Sequence, residues 1–189
     1  MAIDPPERIV GDRVVIRVPR VGDGPALVEA VTASIEHLRP WMPWIKFEPQ
    51  SVEQREAWIA EQIVARAAGT DFAYFYADPH DDDRIIGGTG FHLRNKPHQL
   101  EIGYWTHVAM SGRGVCTEGT RLMTTVALEQ PGISEVLICC DAANAASAAI
   151  PAKLGYTMVE RSVQEPSASG ETGVHLRWRM AGDAWSVVR

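Results

Sequence analysis

The chain has 189 residues, of which 46% are apolar and 22% are charged, and its formal net charge is −6. This length and apolar content suffice for one sizeable core, so we expect residues 1–189 to form a single domain. The negative charge disfavours direct nucleic-acid binding, because domains that grip phosphate backbones are normally basic. No segment approaches the ~20 consecutive apolar residues of a membrane helix, so we expect no membrane association.

The first residues and the cysteines both favour a cytoplasmic protein. The segment MAIDPPERIV lacks the basic flank and apolar run of a secretory signal. Cys116 stands alone, whereas Cys139 and Cys140 are adjacent inside an apolar run. This spacing matches neither a zinc site nor a disulfide framework, so we expect small buried thiols, a reducing compartment and no metal.

Hydrophobic periodicity predicts the elements of the first part of the chain. A β-branched strand over 13–18 precedes a helix that begins at Asp23, its predicted N-cap, and stops at Pro40. Ser51 and Gln54 form a capping box for a second helix. The predicted buried stripe of that helix consists of Trp58, Ile59, Ile63 and Ala67.

The rest of the chain alternates further strands and helices. The remaining predicted strands are 72–77, 84–93, 100–107, 133–140, 156–163 and 174–180. Between them, one helix follows a glycine-rich turn at 111–114 and another, rich in alanine, covers 142–154. The resulting order, β-α-α-β-β-β-α-β-α-β-β, predicts a mixed α/β domain.

The glycine-rich turn is the first candidate ligand site. Its glycines let a ligand approach the backbone, the helix start offers free N–H groups, and Arg113 can donate to phosphate oxygens. It is not a P-loop, because no Gly-Lys-Ser/Thr follows, and Thr117 stands at the third glycine position of a dinucleotide fingerprint. On spacing alone, a tight turn without a ligand stays the stronger interpretation.

Four segments in order change that interpretation: EHLRPWMPW at 36–44, EIGYWTH at 101–107, GRGVCTE at 112–118, and NAAS followed by IPAKLGY at 144–156. Together they resemble the GNAT N-acetyltransferase superfamily, in its RimJ/RimL-type branch of ribosomal-protein N-terminal acetyltransferases. The resemblance implies a GNAT fold, with a mostly antiparallel mixed sheet and helices on both faces. The sheet is expected to splay between its fourth and fifth predicted strands, where acetyl-CoA enters.

The resemblance also implies which residues hold acetyl-CoA. They are Trp105, Thr106, His107, Gly112, Arg113, Gly114, Val115, Cys116, Thr117, Asn144 and Lys153. Two positions depart from the family pattern: Ser111 replaces a usual Gln or Arg, and Cys116 replaces a Gly or Ala. Cys116 is still small, whereas Ser111 lacks a long polar side chain that would strengthen coenzyme affinity.

Acetyl transfer to an amine needs a base, donors for the carbonyl oxygen and an acid for the thiolate. Glu101 is the candidate base, acting through water, and strand alternation places it on one face with Gly103 and Trp105. Many relatives use a tyrosine acid where this chain has Pro151, so Ser147 becomes the candidate acid. A solvated glutamate and a helix-surface serine remain the alternatives, and Asn144 can act as a plain helix cap.

The acceptor is the least determined part of the prediction. Trp41, Met42 and Trp44 are either a core plug or a wall of the acceptor pocket, and the resemblance favours the wall. It implies a primary amine acceptor, such as the N-terminus of a ribosomal protein, and it is compatible with a homodimer. A small-molecule amine or antibiotic as acceptor, and a non-catalytic CoA-binding sensor, are the open alternatives.

Overall fold

The computed structural model describes residues 3–94 and 96–188, and within them the strands join one eight-stranded sheet. The strands are β1 (Arg8–Val10), β2 (Val15–Arg17), β3 (Phe72–Asp78), β4 (Asp81–Leu93), β5 (Gln99–Thr106), β6 (Glu135–Asp141), β7 (Thr157–Val163) and β8 (Val174–Ala181). The helices are α1 (Gly24–Leu38), α2 (Val52–Ala67), α3 (Val115–Glu129), α4 (Ala145–Lys153) and α5 (Gly182–Val188). Short 3₁₀ turns follow α1 at Pro43–Phe47 and β5 at Val108–Met110.

The sheet is antiparallel except at its centre, which confirms the predicted mixed sheet. Its order is β1-β2-β3-β4-β5-β6-β8-β7, and β5 with β6 form the parallel pair. Their ladder runs from the pair Gln99–Glu135 to the pair Glu101–Leu137 and stops there, although both strands continue. This opening is the predicted splay, because β5 and β6 are the strands expected at 100–107 and 133–140.

Helices cover both faces of the sheet, because its central strands are apolar on both sides. On one face, Leu100 and Ile102 of β5 belong to a buried cluster with residues of α3 and α5. On the other face, Trp105 packs against a second buried cluster that α1 and α2 supply. The predicted alternation of β5 is therefore correct. Among the described residues, no helix combines the length and apolar content that a membrane crossing demands.

Asp23 precedes α1 as predicted, but its carboxylate does not cap the helix. It instead accepts two hydrogen bonds from the guanidinium of Arg17, at 2.7 and 2.8 Å, and a third from the backbone N–H of Arg20. Arg17 is completely buried, so its charge requires a buried partner, and this need outweighs a capping bond.

The predicted buried stripe of α2 is correct only in part. Ile59 is buried, whereas Ile63 is 40% exposed and Ala67 is also exposed. In the C-terminal half of the helix, Arg66 makes the contact with β3 instead. Its guanidinium lies 5.1 Å from the ring centroid of Tyr74 and donates to the Tyr74 hydroxyl at 3.0 Å.

Candidate active site

A cavity of about 750 Å³ lies beside the opening between β5 and β6. The diverging parts of both strands line it, including Tyr104 on β5 and Cys140 on β6. The start of α4, the connection between α1 and α2, and the loop between β7 and β8 complete the walls. We refer to this space as the acceptor cavity, since it contains all three residues predicted to contact the acceptor.

Those three residues, Trp41, Met42 and Trp44, form an apolar wall of the acceptor cavity. Met42 and Trp44 also pack against the buried cluster under α1 and α2, so the segment serves both the core and the cavity. Trp105 belongs to the same wall, because its ring meets that of Trp44 edge-on at a centroid distance of 6.1 Å. A Cβ at Gly88 would lie 2.5 Å from the indole nitrogen of Trp105, so only glycine leaves room for that ring.

The loop between β7 and β8 covers the cavity, which the sequence analysis did not predict. Gly170 donates its N–H to the carbonyl of Pro40 at 2.9 Å. The carboxylate of Asp141 accepts hydrogen bonds from Thr172 and Gly173 at 2.9–3.1 Å. Burial opposes the charge on Asp141, but these bonds and one from Ala143 outweigh it and lower its pKa. The Ser/Gly-rich composition of residues 166–173 is typical of a loop, but it does not predict where that loop packs.

Glu101 lies at the last pair of the β5–β6 ladder, and its side chain forms an ion pair. Its two carboxylate oxygens accept hydrogen bonds from Arg94 at 2.6 and 3.1 Å, and the thiol of Cys139 lies 3.8 Å away. The bond to Glu101 raises the pKa of Arg94. Glu101 does not itself line the acceptor cavity, whereas His92, its partner across the β4–β5 ladder, does. A proton from the cavity therefore reaches Glu101 only through water or a neighbouring group.

His92 is paired with an acid at the edge of the same cavity. Its Nδ1 lies 3.5 Å from Oδ1 of Asp71, and both residues line the cavity. The hydrogen bond from His92 lowers the pKa of Asp71 and outweighs the opposing effect of burial. The sequence analysis did not connect these residues, since they lie on different strands.

Ser147 and Asn144 stand together at the start of α4, as their spacing predicts. Oδ1 of Asn144 accepts the backbone N–H of Ser147 at 3.1 Å, so Asn144 caps the helix. The Ser147 hydroxyl donates to the hydroxyl oxygen of Tyr104 at 3.3 Å, and Tyr104 donates to the carbonyl of Ser147 at 3.1 Å. All three residues line the acceptor cavity. Burial raises the pKa of Tyr104 far above its usual value.

A second, more open cavity of about 570 Å³ lies at the start of α3. Several of the residues predicted to hold the coenzyme line it, namely Gly112, Arg113, Gly114, Thr117 and Lys153. We call this space the cradle. Gly112 and Gly114 have φ values of 73° and 82°, which glycine adopts without strain.

The cradle carries an excess of positive charge. Arg13 and Arg121 line it beside Arg113 and Lys153, and none of these four cations forms an ion pair with a described residue. Two acids, Asp12 and Glu118, also line the cradle, so its four cations exceed its acids by two. The Glu118 carboxylate accepts the backbone N–H groups of Asp12 and Arg13, both at 2.8 Å. Together with the free N–H groups of the first turn of α3, this surface suits a phosphate group.

The other predicted coenzyme residues use their side chains within the fold. Val115 is buried, and burial raises the pKa of Cys116 to about 12 in spite of a hydrogen bond with Thr106. Nδ1 of His107 accepts the N–H of Ala109 at 3.0 Å and so begins the 3₁₀ turn. Among the described residues, no group of three or more His, Cys, Asp or Glu side chains could hold a metal ion.

Comparison with known proteins identifies the family of this chain. Residues 13–157 match the family model described as an acetyltransferase (GNAT) domain. The chain belongs to the GNAT acetyltransferase family. It is therefore an acyl-CoA-dependent N-acetyltransferase, as the sequence predicted.

Two of the similar proteins carry the name of a ribosomal acetyltransferase, and a third is an immunity acetyltransferase. A Bacillus subtilis (strain 168) protein, provisionally named ribosomal N-acetyltransferase YdaF, is 25% identical over 150 residues, which cover 78% of this chain and 79% of the relative. The ribosomal L7/L12 acetyltransferase RimL in complex with coenzyme A has a TM-score of 0.82 at 19% identity, over 93% of this chain and 98% of RimL. The microcin C7 self-immunity acetyltransferase MccE, in complex with acetyl-CoA and AMP, has a TM-score of 0.82 at 17% identity, over 93% and 97% of the two chains.

Proposed function

We propose that this GNAT enzyme transfers the acetyl group of acetyl-CoA to the free α-amino group of a protein N-terminus, such as that of a ribosomal protein. The observation that carries this proposal is the position of α4 between the two cavities. Its first turn, with Asn144 and Ser147, lines the acceptor cavity, and its last residue, Lys153, lines the cradle. A coenzyme held by the cradle can therefore extend along α4 and present its thioester to the acceptor cavity.

In this proposal the cradle binds the pyrophosphate of acetyl-CoA. Gly112 and Gly114 let the phosphates approach the backbone, and Arg113 and Lys153 balance their charge. The pantetheine arm follows the opening between β5 and β6, where Asn144 contacts it. The hydrogen-bonded ladder between β5 and β6 ends at Glu101. Backbone N–H groups of β5 that face β6 beyond this point are therefore available to donate to the thioester carbonyl.

The acceptor amine attacks the thioester directly, within a complex of enzyme, acetyl-CoA and acceptor. An α-amino group has a pKa of about 7.7–8.0, so a modest base suffices. Glu101 accepts the amine proton through a water molecule, because it does not line the cavity itself. Ser147 donates a hydrogen bond to the departing sulfur.

The environments of Cys139 and Cys140 disfavour a covalent acetyl-cysteine intermediate. Burial raises the pKa of Cys139 to about 11, with a further contribution from the carboxylate of Glu101, and burial also raises the pKa of Cys140. The Cys139 thiol is therefore almost entirely protonated near neutral pH, the raised pKa of Cys140 acts in the same direction, and a protonated thiol is a poor nucleophile.

A small-molecule amine is the second candidate acceptor, and the aromatic wall of the cavity favours it. Trp41, Trp44, Phe47 and Trp58 line one side of a volume that is ordinary for a small-ligand site. An N-terminal peptide needs only its first residues inside such a space. The wall therefore fits a large apolar amine at least as well as the small first residue of a peptide.

The experiment measures release of coenzyme A with matched acceptors. One peptide is supplied with a free N-terminus and with an acetylated N-terminus, and aromatic amines form the comparison. The proposal expects rapid thiol release with the free peptide and none with the blocked one. Faster release with the aromatic amines than with the free peptide would favour the second candidate. Binding of acetyl-CoA without release of coenzyme A for the free peptide or the aromatic amines would overturn both acceptor candidates.

We treat residues 1–189 as one GNAT domain, since one sheet extends from Arg8 to Ala181. A homodimer and a cytoplasmic location stay predictions. The lack of direct nucleic-acid binding also stays a prediction, and the net charge of −6 supports it.

A further inference from the structure

We propose that Tyr104 is a positioning residue for the hydroxyl of Ser147, and that Pro151 frees the backbone group through which Tyr104 is anchored. This inference rests on the proposed role of Ser147 as the group that meets the departing sulfur. It gives the proline at position 151 a defined consequence for the contacts of Ser147.

The first step concerns the carbonyl of Ser147. In a regular helix this oxygen accepts the N–H of the residue four positions later, which here is Pro151. Proline has no N–H, so the carbonyl lacks its ordinary partner. The hydroxyl of Tyr104 donates to this oxygen at 3.1 Å, from a strand on the other side of the opening. Leaving this half-buried carbonyl without a hydrogen bond would cost folding free energy, and the bond from Tyr104 both avoids that cost and anchors the tyrosine.

The second step concerns the hydroxyl of Ser147. Its Oγ lies 3.3 Å from the oxygen of the same tyrosine and donates to it. The backbone N–H of Ser147 is held by Asn144 at 3.1 Å. The serine is therefore fixed at its N–H, its carbonyl and its hydroxyl, and two of these three contacts use the one hydroxyl group of Tyr104.

The third step concerns the charge state of the tyrosine. Burial raises the pKa of Tyr104 far above its usual value, so it stays protonated throughout the working range of an enzyme. Tyr104 is therefore a permanent hydrogen-bond donor and gives up no proton. Its role is to hold the backbone of Ser147 at the edge of the acceptor cavity through the carbonyl, while its oxygen accepts the serine proton until the departing sulfur replaces it as the acceptor.

The kinetic test is a double-mutant cycle between Tyr104→Phe and Ser147→Ala. Tyr104→Phe alone is expected to lower kcat about tenfold and to leave the KM for acetyl-CoA within about twofold. In the Ser147→Ala background it is expected to cause no further loss of kcat, because there is no hydroxyl left to position. Additive losses, or a change confined to the KM for acetyl-CoA, would overturn the inference.

The structural test needs no activity and uses the protein without coenzyme. Tyr104→Phe is expected to lower the Tm by about 2–4 °C, and by less than half as much in a Pro151→Ala background, where a new N–H satisfies the Ser147 carbonyl. Tyr74→Phe is the matched control, because Tyr74 donates its hydroxyl to the carbonyl of Pro6 at 2.9 Å, away from α4. Its effect on the Tm is expected to be the same in both backgrounds.

The two tests separate this inference from the proposed function. An equal loss of Tm from Tyr104→Phe in both backgrounds would overturn the anchoring by the Ser147 carbonyl, whatever the enzyme acetylates. If the Tm values couple as predicted but the kinetic losses are additive, Tyr104 is anchored by the Ser147 carbonyl but does not position the Ser147 hydroxyl. That result would overturn the positioning role. A failure of the acceptor experiment would leave the Tm test unaffected.

Discussion

Glu101 and Ser147, the two candidate catalytic residues, are held by different neighbours. Glu101 is bound by Arg94 on its own face of the sheet, and Ser147 is bound by Tyr104 across the opening. This separation suits a reaction in which one group accepts a proton from the amine while another contacts the sulfur. The two residues can therefore be tested independently.

Ser147→Ala is expected to lower kcat while the affinity for acetyl-CoA stays close to wild type. The loss is expected to shrink as the pH rises above about 8.5, the usual pKa of a thiol, since the departing thiolate then needs less help. Turnover across pH 6.5–9.5 checks this, with Ser134→Ala as the control, because Ser134 is exposed and lines neither cavity. A loss of equal size at every pH would argue against a role at the sulfur.

Glu101→Gln is expected to lower turnover by roughly 10²–10⁴-fold, because the amine loses its proton acceptor. The remaining rate is expected to rise with pH as the amine deprotonates, and acceptors of low pKa are expected to suffer least. His92→Gln is the matched variant, since His92 faces Glu101 across the ladder and lines the cavity. If His92→Gln causes the larger loss, the pair of His92 and Asp71 is the base.

At the scale of elements, the start of α3 and the end of α4 cooperate. The left-handed glycines turn the chain into α3, and α4 brings Lys153 to the same cradle. The N–H groups of α3 and the cations of both helices then face one volume. Neither helix alone would hold a pyrophosphate firmly, because one helix N-terminus contributes only about half an elementary charge.

Gly112→Val is expected to weaken acetyl-CoA binding at least about tenfold in calorimetry, because a branched side chain prevents close approach of the phosphates. Gly69→Val provides the control. Gly69 has a φ of 67° against 73° for Gly112, and a Cβ at either glycine would meet nothing within 4 Å. The two variants are thus strained alike, but Gly69→Val is expected to keep wild-type affinity. Equal affinities of the two variants for acetyl-CoA would show that the pyrophosphate does not bind at this turn.

At the scale of the whole molecule, local sequence patterns predicted the local structure of segments that later line the two cavities. The glycine turn and the helix start at Asn144 each belong to one short segment, so spacing predicts their conformation, whereas their assignment to a site came from the resemblance. The opening between β5 and β6 was also predicted, but from the resemblance of the whole segment order to a known fold rather than from periodicity.

The parts that could not be predicted are contacts between distant segments. The bond between Tyr104 and Ser147 joins residues 43 positions apart, and the bonds from Thr172 to Asp141 span 31 positions. The ion pair of Glu101 with Arg94 likewise joins β5 to a residue that follows another strand, β4. Propensity and periodicity describe one element at a time, so they carry no information about such pairs.

The most direct measurement is a crystal structure of the protein with coenzyme A and a peptide that has a free N-terminus. The account predicts the pyrophosphate at Gly112–Gly114, the sulfur within hydrogen-bond distance of the Ser147 hydroxyl, and the α-amino group in the acceptor cavity beside Trp44. A coenzyme whose pyrophosphate lies away from the cradle, or whose sulfur lies outside the opening between β5 and β6, would contradict it.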